Sequence, residues 1–349
     1  TTRLVGSEMC IRDRYIILAI LAFGLLIIVH ELGHFTLAKL NGVRVEEFSI
    51  GMGPRILSKK GKETTYSLSL FPIGGYVKMM GEDGEVDDER SFSAKSPLRR
   101  ISIIIAGVVM NYILAIIIFT AVSFNFGFAK PVVNTVAENS GAVEAGLQSG
   151  DKIVKIDGSK VFTADDVKMG IMLSKDDTVD LIVNRNGAKE KASVTLKDLE
   201  GKGKQLGITF VSEAKPTILS SFKQSLNQTV SLVSQTFKGL KMIFTGEANL
   251  KTDVGGPVTI VKMTTATAKA GIWNLMYFIG FISVNLAVFN LLPFPALDGG
   301  WCVILLIELI TRKKVPDKIV AGLNYAGFAC LIGLMILVTI KDILFPVKL

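Results

Sequence analysis

This chain of 349 residues contains two histidines, four apart, in His30-Glu31-Leu32-Gly33-His34. On a helix, residues four apart project from one face, so both imidazoles reach toward a common point. Two such rings with a Glu between them make the zincin arrangement: two ligands for Zn2+ and a carboxylate placed as general base. A catalytic zinc takes three protein ligands and keeps its fourth position for water. With no further histidine in the chain, the third ligand must be a carboxylate or a thiolate. Asp298 is the stronger candidate. It sits in Pro293-Phe-Pro-Ala-Leu-Asp-Gly-Gly300, where two prolines and two glycines interrupt an apolar run. Irregular backbone at membrane depth is tolerated where it lines a cavity, and carboxylates there are seldom passive. Glu308 is the alternative, on an apolar stretch without such a break.

The elements that position these residues read as membrane spans. Residues 15–29 are apolar or glycine and lead directly into His30. The stretch 15–40 exceeds the roughly 20 residues that cross a bilayer, with the motif in its second half. Further spans are expected at 98–128, 272–310 (broken before Asp298) and 320–344. Hydrophobic residues make up 49% of the chain, mean hydropathy is +0.46 and 20% of residues are charged. That balance predicts a polytopic α-helical membrane protein with a soluble part. The net charge of +8 does not point to nucleic acid, because basic residues flank apolar runs, as in Leu98-Arg99-Arg100 and Arg312-Lys313-Lys314. The positive-inside rule accounts for them. Basic loops after the first and third spans place both on one side, which puts residues 130–213 and both termini outside the cell membrane. Cys10, Cys302 and Cys330 lack CxxC spacing and read as packing residues.

Residues 1–14, TTRLVGSEMCIRDR, have no start Met, no clear period and no signal-peptide layout, and Leu4 to Arg14 resembles a translated library adapter. They are expected to be foreign to the fold. Residues 43–80 alternate and are broken by glycine pairs, which predicts short strands and tight turns, with an ordinary soluble hairpin pair as the alternative. Residues 81–97 are acidic and polar and read as a solvated loop. Asn111 is the strongly polar residue in the middle of the second span; by default such an Asn hydrogen-bonds a neighbouring helix.

Residues 130–213 change character, with β-type runs at 131–136, 152–156, 178–184 and 190–196. Ala145-Gly-Leu-Gln-Ser-Gly-Asp-Lys-Ile-Val-Lys-Ile-Asp-Gly158 resembles the heart of a bacterial, circularly permuted PDZ domain. The resemblance implies an inserted α+β domain whose groove takes an extended peptide or C-terminus as an added strand; a domain that only blocks or spaces is the alternative. In 215–270, the apolar spacing from Ile218 to Phe244 fits an amphipathic helix at the membrane surface or against the PDZ domain.

Together, HELGH in the first span, Gly107 to Asn111 as GxxxN in the second, a PDZ domain between spans and Asn290-Leu-Leu-Pro-Phe-Pro-Ala-Leu-Asp-Gly are similar to the site-2 protease family (peptidase family M50). The likeness is nearest to its bacterial branch with one PDZ domain, and runs from Tyr15 to the C-terminus. It implies zinc-dependent proteolysis within the membrane of a bacterial cell, with His30, His34 and Asp298 as ligands and Glu31 as catalytic acid/base. Gly74, Gly75 and Tyr76 match the family's membrane-associated β-loop, and Asn285 and Asn290 its polar positions near substrate. Two departures are Val108, where the family often has Pro, and Trp301, where it often has His. The implied partners are transmembrane segments of proteins such as anti-sigma factors or remnant signal peptides, cut after another protease has acted. A substrate helix must unwind to expose its carbonyls, and strands at 64–79 could offer it an edge. Asn111, Asn285 or Asn290 could stabilise the reacting oxyanion or orient substrate. The PDZ domain could be a receptor for a new C-terminus or a size filter. The rival class is a catalytically dead, membrane-anchored PDZ scaffold.

Overall fold

The computed structural model describes residues 2–82, 84, 86–198, 203–249 and 254–346, without the side chains before Leu18 and those of Pro72 and Ile73. The foreign character expected of residues 1–14 falls on side chains outside that description. Contacts divide the chain into two compact units, residues 1–115 with 239–349, and residues 116–238.

The first unit opens with helix α1 (Thr2–Leu40), which carries the HELGH motif, followed by strands β1 (Val45–Lys60) and β2 (Thr65–Met79) and helix α2 (Pro97–Phe126). β1 and β2 are each long enough to fold back, and their register shows that they do. Phe48, Ser49 and Ile50 each pair twice: with Val77, Tyr76 and Gly75 on one side, and with Tyr66, Ser67 and Leu68 on the other. Leu57, Ser58 and Lys59 then pair with Leu68, Ser67 and Tyr66. The lateral order is therefore 75–79, 45–50, 65–68, 55–60. Gly51 and Gly53, at φ of 86° and 88°, make the fold-back possible, since L side chains avoid that region. The segment 75–79 ends the sheet on one side. Its Val77 and Met79 join Ala38, Val45, Phe48, Ile103 and Leu305 in a buried core. At the other end Ile56, Leu57, Leu70 and Phe71 are exposed.

The second unit begins within α2 and continues as β3 (Phe128–Val136), α3 (Gly141–Glu144), β4 (Lys152–Ile156), β5 (Ser159–Lys160), α4 (Ala164–Leu173), β6 (Thr178–Arg185), β7 (Ala188–Thr195), β8 (Lys197–Asp198), β9 (Lys204–Gln205) and β10 (Ile208–Glu213). The main sheet runs β10-β3-β4-β6-β7 with β5 on β4. Its core is aliphatic, built on Val133, Ile153, Ile156, Val167, Leu181, Val183 and Val194. Asp151, almost fully buried, takes two bonds from Arg185 at 2.7 and 2.6 Å and one from the Gln148 N–H at 2.9 Å. That arrangement ties the turn before β4 to the end of β6.

Helix α5 (Ile218–Phe244) follows, and its polarity is inside out. Ser221, Gln224, Ser225, Gln228, Thr229 and Ser231 are buried, while Ile218, Leu219, Phe222, Leu226, Val230 and Phe237 are exposed. Ser225 Oγ accepts from Thr120 Oγ1 of α2 at 2.9 Å, and Ser231 Oγ donates to Asp166 Oδ1 at the start of α4 at 2.6 Å.

The first unit closes with α6 (Pro257–Lys269), α7 (Ile272–Asn290), α8 (Asp298–Thr311) and α9 (Asp317–Leu344). α6 was not legible as an element in the sequence. Its N-terminus is capped from a distance: Asp342 of α9 accepts from the N–H groups of Gly256 and Thr259, each at 2.9 Å. Four helices among the described residues are long and apolar enough to cross a membrane: 18–40, α2, α7 and α9. Four such helices and a β-region make this a helical membrane protein.

Candidate metal centre

α1 presents His30 and His34 on one face, one turn apart, and the rings stand edge to face with centroids 4.7 Å apart. Their Nε2 atoms are 3.1 Å apart. The third group arrives from α8, whose first residue is Asp298. Its Oδ2 lies 3.2 Å from His30 Nε2 and 3.6 Å from His34 Nε2.

Why these helices come so close is readable in two glycines. A Cβ on Gly33 would collide with the Ala106 carbonyl, so α2 crosses α1 at backbone contact. One residue on, a Cβ on Gly107 would stand 2.5 Å from His34 Nε2 and 2.7 Å from His30 Cε1, so this glycine is the floor beneath both rings. The same helix orients one of them: His34 Nδ1 donates to the Ile103 carbonyl at 2.9 Å, which turns Nε2 toward Asp298. The break before α8 is built just as tightly. A Cβ on Gly299 would meet the Leu291 and Leu292 carbonyls, and one on Gly300 the Phe294 carbonyl. Ala296 sits at φ 71°, and its N–H donates to Asn324 Oδ1 of α9 at 3.2 Å. Gly327 of α9 leaves no space for a side chain against the Pro295 backbone. The sequence alone did not single out Ile103, Asn324 or Gly327, which act across helices distant in the chain.

The donor set fits one zinc ion. Ligand atoms around a tetrahedral zinc at about 2.0–2.1 Å are spaced about 3.3 Å apart, and the three atoms here are separated by 3.1, 3.2 and 3.6 Å. Asp298 Oδ2 is buried and, among the described residues, meets no polar group besides the two imidazoles, an arrangement that costs free energy unless a cation or a ring proton answers it. Two imidazoles and a carboxylate are the ligand chemistry zinc takes in open, catalytic sites.

Glu31 points to the edge strand. A Cβ on Gly75 would lie 3.2 Å from Glu31 Cγ. Gly74, at φ 96°, packs against Met52, and Tyr76 pairs with Ser49 within the sheet. Of the asparagines, Asn111 Nδ2 lies 3.2 Å from His30 Nδ1, and Asn290 Nδ2 lies 3.5 Å from His30 Nε2, at the rim. Asn285 donates to the Phe281 carbonyl of its own helix at 2.8 Å. Glu308, the sequence alternative to Asp298, is instead paired with Arg100 at 2.7 Å. A cavity of about 720 Å3 reaches from Lys314, Arg100 and Glu308 to Trp301 and Ala296, beside the Asp298 turn.

In the second unit, a groove of about 510 Å3 runs between α4 and the start of β10, lined by Lys168, Ile171, Met172, Leu206, Ile208 and Phe210. β10 is an edge strand of its sheet.

The family model for peptidase family M50 matches residues 18–334. A Clostridium perfringens protein, provisionally named a zinc metalloprotease, is 54% identical over 95% of this chain and 99% of its own length. The Bacillus subtilis protein named regulator of sigma-W protease RasP is 31% identical over 94% of this chain and 98% of its own length. A solved PDZ domain of an SdrC-like protein from Listeria innocua aligns with 26% of this chain and 99% of that domain, at 26% identity and a TM-score of 0.22.

Proposed function

The chain belongs to peptidase family M50 and is a zinc metalloprotease; from that premise we propose that it cuts transmembrane segments of other proteins inside the bilayer. The observation that carries this reading is the meeting of His30 and His34, on a helix of membrane-spanning length and apolarity, with Asp298 at the start of the short apolar helix α8. These three residues hold the metal, and Glu31 is the catalytic acid/base. Zinc bound there supplies Lewis acidity, polarising the scissile carbonyl and lowering the pKa of a water toward 7. Glu31 would take a proton from the attacking water and pass it to the leaving amide nitrogen, as its place one residue after a ligand allows. Asn290, at the rim, donates to the substrate oxygen as negative charge builds on it. Water reaches the site by way of the cavity beside Arg100 and Lys314.

The substrate helix must unwind before it can be cut, and its freed backbone groups need partners. The edge at 75–79, with Gly75 against Glu31, offers them. The substrate lies there as one more strand. The exposed apolar end of the sheet, at Ile56, Leu57 and Phe71, suits a hairpin dipping into lipid. Residues 130–213 form a permuted PDZ domain outside the cell membrane, taking a peptide end in the groove between α4 and β10. By likeness to the relative named for sigma-W, the substrates are membrane-anchored regulators such as anti-sigma factors.

The test is Glu31→Gln in cells carrying an epitope-tagged membrane substrate. The variant should hold zinc while leaving the substrate uncut. Processing equal to the wild type would leave only the reading of a PDZ scaffold. Deleting residues 130–213 separates the two roles of that domain: promiscuous cleavage marks a filter, and loss of cleavage a receptor.

A further inference from the structure

His34 has its outer nitrogen accounted for, since Nδ1 donates to the Ile103 carbonyl. His30 has the same requirement. Its Nε2 faces His34 Nε2 and Asp298 Oδ2 at 3.1 and 3.2 Å. A metal on Nε2 leaves the ring proton on Nδ1, which then needs an acceptor. The group facing Nδ1 is the Asn111 amide, with Nδ2 3.2 Å away. Asn111 is fully buried, at 0% exposure, and its backbone carbonyl accepts from Ser283 Oγ of α7 at 2.8 Å. Its Oδ1 is also buried and has no hydrogen-bond partner.

Nδ2 facing Nδ1 suits a His30 whose Nδ1 is bare and whose Nε2 carries the proton, directed at Asp298. A half-turn of the amide exchanges Nδ2 and Oδ1, and Oδ1 can then accept from Nδ1–H. An amide serves both tautomers because it carries a donor and an acceptor at equal reach. We infer that Asn111 is a positioning residue for His30, its amide oxygen holding the Nδ1 proton when Nε2 binds metal. The inference rests on His30, His34 and Asp298 being the zinc ligands. It assigns Asn111 to the metal side of the centre and away from the substrate.

Removing such an outer partner lowers metal affinity by about 10–100-fold. The test uses the full chain purified in detergent, with zinc affinity read by chelator competition and ligand geometry by the visible spectrum of the Co2+-loaded protein. Asn111→Leu should weaken zinc by about 10–100-fold and alter the Co2+ spectrum. Asn111→Asp keeps an acceptor in place and should bind zinc at least as tightly as the wild type, with the wild-type spectrum. A Leu variant that does not fold is replaced by Asn111→Ala, read the same way. Wild-type zinc affinity in the Leu or Ala variant overturns the inference and returns Asn111 to the substrate. Equal weakening in the Asp and Leu variants also overturns it, by reducing Asn111 to a packing role. A wild-type protein that holds no stoichiometric zinc would instead bring down the ligand assignment beneath it.

Discussion

Gly107 and His34 touch across two helices with no room for even a methyl group: a Cβ on Gly107 would lie 2.5 Å from His34 Nε2. The contact makes a backbone atom part of the wall of the centre. Gly107→Ala must displace a ring or the helix, and overpacking of this kind costs about 1–3 kcal/mol. Zinc affinity should therefore fall roughly 10–100-fold. Chelator competition on the purified variant measures it, and wild-type affinity would disprove the close fit.

Gly75 stands against Glu31 in the same manner, but on the reaction side. A Cβ there lies 3.2 Å from Glu31 Cγ and 3.0 Å from the Ser49 carbonyl. Gly75→Val should push the carboxylate out of line and crowd the edge that receives substrate. Turnover should drop by about 10²-fold or more, the scale of a lost general base, while zinc stays stoichiometric. Unchanged cleavage of a membrane substrate would argue against both roles of that edge.

α9 holds the turn that carries Asp298, through Asn324 on Ala296 and Gly327 on Pro295. Gly327→Val should shift the turn and weaken zinc by about tenfold or more. Gly333, on the same helix with nothing within 4 Å of its Cβ, is the control. Gly333→Val should bind zinc normally, and equal behaviour of the two variants would show that α9 does not position the ligand.

The pair of Asp151 and Arg185 predicts a pH dependence for the second unit. The Arg185 guanidinium, donating directly to Asp151, holds its carboxyl below the usual range. A depressed folded pKa contributes stability above the unfolded value of about 3.9. That contribution is lost as pH falls from about 5 through the folded pKa. Hydrogen exchange of β4 and β6, corrected for intrinsic rates, should show protection falling from pH 5 to 3. In Arg185→Leu, protection should already be lower at pH 6, and the fall should be shallower. Parallel profiles would remove Asp151 from the account.

The meeting of His30, His34 and Asp298 could be anticipated because ionisable groups are scarce in apolar spans and few combinations supply a zinc site. The spans themselves follow from length and hydropathy. What holds the ligands was not readable. The Ile103 carbonyl, the floor at Gly107 and the clamp at Asn324 depend on contacts between helices far apart in sequence, which leave no local period. The double pairing of Phe48, Ser49 and Ile50 was hidden for the same reason, since register is set by tertiary packing. In α5 the period was visible, but not which face turns inward.

That inverted helix has a consequence for what counts as the folded protein. α5 turns its serines and glutamines toward Thr120 and Asp166 and presents Phe222, Leu226, Val230 and Phe237 outward. An apolar face of this length calls for an apolar cover. A detergent that coats only the long apolar helices would leave this one bare.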